Sequence, residues 1–235
     1  MVTVLHSSVL ETLGQEIVAG ELPAGAVMTL EQLQARFQVS RTVMRECMRI
    51  LESMNLVESR RRVGVVVRPS AEWTVLDSRV IRWRLDGPGR GAQLRDLTEL
   101  RIAIEPAAAA GAARRAMAEQ RDELVELAGR LRALGEAGML AEFLEVDIAF
   151  HSLLLRASGN SMFGALEDFV AEVLAGRTHH GLMPAHPVPA ALDAHEGVAH
   201  AVHAHDPAGA ERWMRELVTE VREAIADTAG DAATD

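Results

Sequence analysis

From residue 93 onward, apolar residues recur at helical spacing and no stretch alternates as a strand does, so most of this chain folds as packed helices. The expected segments are 93–117, 119–136, 140–157, 161–179, 190–204 and 207–228. They are parted by Gly138, by Ser158-Gly159-Asn160 and by the loop holding Pro184, Pro187 and Pro189. Helices joined by such short breaks predict an all-α antiparallel bundle over 93–229, followed by a disordered tail over 230–235. With 235 residues, 49% of them hydrophobic, the chain can bury that core and a smaller one before it.

The first 69 residues follow another pattern. Leu5, Val9, Leu13 and Ile17 mark an amphipathic helix stopped by Gly20. Thr29, with Gln32 three residues on, forms a capping box for a short second helix that turns Leu33 and Phe37 inward. Ser40 caps a third helix running to about Met54, with Val43, Met44, Cys47, Ile50 and Leu51 on its apolar side. Two β-prone runs, 56–58 and 63–67, are joined by Ser59-Arg60-Arg61-Arg62. Three helices and a hairpin predict a winged helix-turn-helix over 1–69, so the whole chain is mainly α. Residues 70–92 read as a linker with one short helix, ending in the loop signal Asp86-Gly87-Pro88-Gly89-Arg90-Gly91.

A net charge of −10 argues against a nucleic-acid partner until the chain is divided. Residues 1–69 hold eight Arg and seven carboxylates, a net of +1, whereas residues 70–235 hold sixteen and twenty-seven, a net of −11. Every basic residue is Arg, and seven of them lie between Arg41 and Arg68 against three acids. The single cysteine, Cys47, excludes an internal disulfide and a thiolate cluster and fits a reducing compartment. No apolar run approaches the ~20 residues a membrane span needs, and the first residues lack the order of a signal peptide. The expectation is a cytoplasmic protein with no membrane partner.

Ser40, Arg41, Thr42 and Arg45 occupy the first turns of the capped third helix, where a recognition helix faces base edges in the major groove. Arginine there can fork onto guanine, and hydroxyls reach phosphates. Arg60, Arg61 and Arg62 at a hairpin tip reach the backbone or minor groove beside it, while Arg49 reads equally well as part of a solvated face. The run Gly20-Glu21-Leu22-Pro23-Ala24-Gly25, residues 33–37, Val39-Ser40-Arg41-Thr42-Val43-Met44-Arg45-Glu46, Leu56-Val57-Glu58 and Gly64 together resemble the N-terminal domain of GntR-family transcription regulators. That resemblance implies a homodimer on a palindromic double-stranded operator, with Ser40, Arg41, Thr42, Arg45, Arg49, Arg60, Arg61, Arg62 and Gly64 at the DNA. Val43 stands where the family usually has proline, Cys47 where it has a small residue, and Glu31 where one branch places a DNA-contacting arginine.

In the 140–157 segment the inward stripe is Leu140, Phe143/Leu144, Asp147, Phe150/His151 and Leu154, which puts a carboxylate and an imidazole on the core face one turn apart. An unpaired buried charge is costly, so Asp147 and His151 need each other, another partner or a divalent ion. Inward-facing His195 aligns with Val198 and Val202, whereas His200 and His203 point elsewhere. Arg101 borders the stripe Leu97, Leu100, Ile104 and Ala108, and reads either as an ion pair with Glu105 or as a grip for an anionic ligand.

The stretch from Asp96 to Ala113, Asp147-Ile148-Ala149-Phe150-His151, Ala157-Ser158-Gly159-Asn160 and the run from His195 to Asp206 resemble the helical ligand-binding (FCD) domain of the FadR-like branch of that family. The resemblance implies metal ligands Asp147, His151 and His195, and an effector site of Arg101, Asp147, His151 and His195. The family's fourth ligand position falls on Leu217, in the apolar stripe Met214, Leu217, Val221 and Ile225. Two imidazoles and one carboxylate still suit Zn²⁺, Ni²⁺ or Mn²⁺, held more weakly, and a metal-free pocket with hydrogen bonds to the effector competes with that reading. The linker, with Trp73 and Trp83, looks like that of sugar-acid (D-galactonate type) operon repressors. The expected function is thus an effector-released repressor of a carboxylate or sugar-acid catabolic operon, answering to a small carboxylate such as an aldonate, and not an enzyme. The alternative is a metal-dependent enzyme in the bundle with the N-terminal unit as a DNA-targeting module.

Overall fold

A computed structural model describes the backbone of residues 2–231 and the side chains of residues 8–220. The side chains of Leu5, Val221 and Ile225 and the tail residues 232–235, on which sequence expectations fell, lie outside these. The chain divides into two compact units, residues 1–90 and 91–235.

In the first unit, α1 (Val2–Val18) is followed by β1 (Val27–Met28), α2 (Leu30–Phe37), α3 (Arg41–Ser53), β2 (Val57–Arg60) and β3 (Gly64–Val67). The caps form as the sequence dictates. Thr29 accepts from the Gln32 backbone N–H while the Gln32 side chain accepts from Thr29, and Ser40 accepts from Val43 N–H at 3.3 Å. Leu13, Ile17, Leu33, Met44, Cys47, Leu51 and Leu56 close one apolar core.

The wing has three strands, in the antiparallel order β1-β3-β2, with Val27 opposite Val66 and Met28 opposite Val65. β1 is two residues long and so carries no periodicity to read. Ser59 and Arg60 belong to β2 rather than to the connection, which narrows to residues 61–63. Gly64 is held at φ 125°, and a side chain there would meet Met28 O at 2.5 Å.

Residues 70–90 are not a free linker. After a 3₁₀ turn at Ser70–Glu72, α4 (Ser78–Asp86) lies along α1 within the first unit. Its Val80 and Trp83 are fully buried apolar groups, and burying them on α1 is what attaches the segment. The Trp83 indole covers Gly14, where a Cβ would lie 2.4 Å from the ring, and its N–H donates to Glu11. Trp73 packs on the same core and donates to Arg68 O at 3.0 Å.

The second unit is built from α5 (Arg90–Arg115), α6 (Ala118–Glu136), α7 (Leu140–Ala157), α8 (Ser161–Gly164), α9 (Glu167–His179), α10 (Pro189–His203) and α11 (Pro207–Asp231). The expected Gly/Pro loop shrinks to residues 87–89, and α5 starts three residues earlier than the sequence suggests. The expected 161–179 helix is broken at Ala165-Leu166 into α8 and α9. α10 packs on α6 and α11, α6 on α7, and α7 on α9 around a core of Leu124, Leu131, Phe150, Leu154, Val198, Val202 and Met214. Among the described residues no helix is long and apolar enough to cross a membrane.

Replacing Trp83 with alanine should destabilise the first unit by about 3–5 kcal/mol, the usual cost of emptying a large aromatic site. Denaturant melts followed by helix signal check this, and a variant melting like wild type would contradict the docking of α4 on α1.

Candidate functional site

α3 presents one exposed stripe, because Met44, Cys47, Met48 and Leu51 are drawn into the core, Val43 and Ile50 pack against it, and the opposite face meets water. Arg41, Arg45 and Arg49 follow one another on that stripe at one-turn intervals, with Thr42 beside them. Arg41 and Arg45 make no ion pair among the described residues, and Arg49 makes only a loose one with Glu46 at 3.5 Å. Ser40 accepts the capping hydrogen bond at its oxygen. Arg60, Arg61 and Arg62 are exposed at the wing tip, where Arg60 pairs with Glu58. Arg68, by contrast, is tied to Glu72 and Asn55 within the fold.

The second unit buries a connected set of charges. On α5 the true inward face holds Leu97, Arg101, Glu105 and Ala108, while Leu100 and Ile104, expected inside, are half-buried. The Arg101–Glu105 ion pair does form, with Nε and Nη2 of Arg101 donating to the two carboxylate oxygens. Glu105 also reaches across to α7, where its Oε2 lies 2.5 Å from Nδ1 of His151. That leaves Nε2 of His151 facing Asp147 Oδ1 at 3.4 Å, and the same oxygen lies 3.1 Å from Nε2 of His195 on α10.

The His195 ring is fixed from behind by its Nδ1, 2.7 Å from Ala191 O. A carbonyl only accepts, so Nδ1 carries a proton and a neutral His195 turns a bare Nε2 lone pair on the Asp147 carboxylate. Two acceptors at 3.1 Å need a positive charge between them, either a second proton or a cation. The donor atoms of Asp147, His151 and His195 all lie within 4.8 Å of one another, and Glu105 and Ala191 O occupy the outer positions that orient metal-binding imidazoles. Phe143 and Phe150 stand edge-on to His195 and keep the pair out of water. This donor set fits a divalent ion of the Zn²⁺, Ni²⁺ or Mn²⁺ kind.

Beside these groups lies a cavity of about 370 Å³, walled by α5, α7, α9, α10, α11 and the 181–188 loop. Arg101, Asp147, His151 and His195, all expected from sequence, line it together. Leu217 lines it too, so the fourth ligand position is an apolar wall. Two polar groups facing the site were not anticipated. Glu105, four residues after Arg101, reads in sequence as half of a surface ion pair, and Arg177 reads as a cation in the last turn of a helix. The signal for Arg177 was its place directly after Val173, Leu174 and Gly176, all buried.

Burial alone would raise the pKa of both carboxylates, but their cationic neighbours outweigh it. Arg101 and His151 hold Glu105 down to about 2, and His151 and His195 hold Asp147 well below the ordinary range. Burial pushes the His151 imidazolium the other way, yet Glu105 and Asp147 carry it up to about 9.

Comparison with known proteins agrees with this layout. Residues 5–67 match the bacterial regulatory proteins of the gntR family, and residues 96–220 match the FCD domain. The chain is 32% identical over 151 residues to the HTH-type transcriptional regulator YieP of Escherichia coli, covering 64% of this chain and 66% of that protein. It is 30% identical over 164 residues to the galactonate operon transcriptional repressor of the same organism, covering 69% and 70%. Its fold matches E. coli McbR/YncC with a TM-score of 0.55 at 19% identity, over 96% of this chain and 98% of that one. These relatives are regulators, which sets aside the enzyme alternative.

In protein stripped of divalent ions, the raised pKa of His151 makes a signed prediction. Its stabilising charge is fully present below about 6.5 and is lost as pH rises through about 9, so the melting temperature should fall across that window. The groups facing His151 are Glu105 and Arg101 on α5, Asp147 on α7 and His195 on α10, with Arg177 on α9 lining the same cavity. Glu105→Gln should flatten the slope. A melting temperature that climbs from pH 6.5 to 9 would contradict the network.

Proposed function

This chain belongs to the GntR family of bacterial regulatory proteins and carries its FCD domain, and from that premise we propose that it is a cytoplasmic, homodimeric repressor released from its operator by a small carboxylate of the sugar-acid class. The observation that carries the effector half is Arg101. Its Nη1 is buried without a hydrogen-bond partner even though Nε and Nη2 are spent on Glu105, and the side chain lines the cavity beside Asp147, His151 and His195. An incoming carboxylate supplies the missing acceptor. The similarity to a galactonate operon repressor supports the sugar-acid class.

In this reading Asp147, His151 and His195 hold one divalent ion. When bound, the ion adds positive charge that attracts the effector's carboxylate. Glu105 keeps the Nε2 atom of His151 aimed at the site, and the backbone carbonyl of Ala191 does the same for His195. Leu217 adds no ligand, so this set holds its ion with fewer protein donors than a four-ligand site does.

On the DNA side, Arg41 and Arg45 read bases from the exposed face of α3, with Ser40, Thr42 and Arg49 on phosphates. Arg60, Arg61, Arg62 and the Gly64 backbone meet the adjoining backbone or minor groove. The dimer pairs two such heads on a palindrome. For an acid to release them, it must bind one arrangement of the dimer better than the other.

The test uses full-length protein and a duplex selected from random sequence by the wild type. Arg45→Ala should weaken binding by about 1–3 kcal/mol and relax base preference in one part of each half-site. Undiminished affinity and unchanged preference would overturn the assignment of α3 as the reading element.

A further inference from the structure

The buried charges around the cavity do not balance. The carboxylate of Glu105 is shared by Arg101 and His151, and that of Asp147 by His151 and His195. Both buried anions are therefore engaged, and Arg177 is the charge left over. It lies on the inner side of α9 and is only 7% exposed. It lines the same cavity, and its Nε has no hydrogen-bond partner among the described residues. Burial and the neighbouring Arg101 charge push its pKa down to about 10, against the pull of Asp147 and Glu220.

Two ordinary roles for such an arginine do not fit. A cation in the last turn of a helix complements the helix dipole from the surface, whereas this side chain is buried in a cavity wall. A structural ion pair needs a carboxylate, and among the described residues the one anion left beside it is Glu220. Glu220 also lines the cavity and attracts Arg177, but it makes no hydrogen bond to it. Glu220 is half-buried and borders two surface depressions as well, so water screens its charge. A desolvated guanidinium held without a partner is costly to the fold and profitable only when a ligand supplies the acceptor.

We propose that Arg177 anchors a second acidic group, so that this cavity selects a small organic dianion, one acidic group meeting Arg101 and the metal-ligating triad and the other meeting Arg177. The inference rests on the reading of the cavity as a carboxylate site and adds the number of charges its ligand carries. Arg177 is then the residue that sets specificity between monoacids and diacids of one chain length, through bonds that only the second acid can accept. The second group is a carboxylate or a phosphate ester, since a guanidinium fork fits both.

Calorimetric titration of the full-length protein decides this with matched probes: D-gluconate against D-glucarate, D-galactonate against galactarate, butanoate against succinate, and 6-phospho-D-gluconate as the phosphate arm. In at least one set the dianion should bind wild type about tenfold or more tighter than its monoacid, the scale expected of hydrogen bonds to a charged group. Arg177→Gln should abolish that gap by weakening the dianion, with the monoacid changed by no more than about threefold. Ligand-free Arg177→Met should melt above wild type, because a partnerless buried charge is gone; a structural arginine gives the opposite result. Equal affinities within every set, a gap that survives Arg177→Gln, or a lower melting temperature for Arg177→Met would overturn the second anchor while the carboxylate reading stands. If no acid of either kind binds, both readings fall.

Discussion

Glu105 holds one negative charge at full burial between the guanidinium of Arg101, one turn before it on the same helix, and the Nδ1 edge of His151 across the interface with α7. The rest of the interior of the helical unit is arranged around that fact. With His151 gripped at Nδ1, its other nitrogen turns to Asp147, and Asp147 in turn meets His195, whose ring is fixed by the carbonyl of Ala191. A charge so deep in an apolar core survives only as part of a fully connected set, since removing any one member strands the next. The set ties α5, α7 and α10 to a common point, and unpartnered donor atoms of Arg101 and Arg177 lie on side chains that line the cavity beside it.

This explains why sensing chemistry lies inside an otherwise ordinary bundle. Elsewhere the core is built from Ala, Leu, Val and Phe, and the breaks fall at Gly138 and Gly159, both at positive φ. Polar atoms enter the interior mainly where a ligand would complete them. The winged unit solves the opposite problem: its apolar residues are drawn under α3, and its arginines are pushed outward onto the helix face and wing tip. The overall charge of −10 averages these two tasks. Residues 70–235 carry a net of −11, a charge of the sign that repels DNA, whereas residues 1–69 carry +1.

Much of this was legible in the sequence, and the exceptions share one cause. The caps at Thr29 and Ser40 and the inward facing of Asp147, His151 and His195 were readable because each has a local spacing rule behind it, whereas the meeting of His195 with Asp147 was implied only by the family resemblance. β1 was not, since two residues carry no period and gain their strand only from pairing with β3. The packing of α4 on α1 depends on a contact between Gly14 and Trp83 that sequence distance hides. The burial of Glu105 and the place of Arg177 were not readable because charged residues on helices usually face water. Only the tertiary structure shows that these two do not. The stripe on α5 was accordingly placed one position away, on Leu100 and Ile104 rather than on Arg101 and Glu105.

We propose that the Asp147, His151 and His195 set holds a cation next to the place where a carboxylic acid binds. Loading the purified protein with Co²⁺ and recording its visible absorption tests this most directly, because that spectrum reports the ligands around the ion. One Co²⁺ should be taken up per chain and lost in Asp147→Ala, and the spectrum should change when a small carboxylic acid is titrated in. Failure to take up the ion, or a spectrum indifferent to every acid that binds the protein, would contradict it.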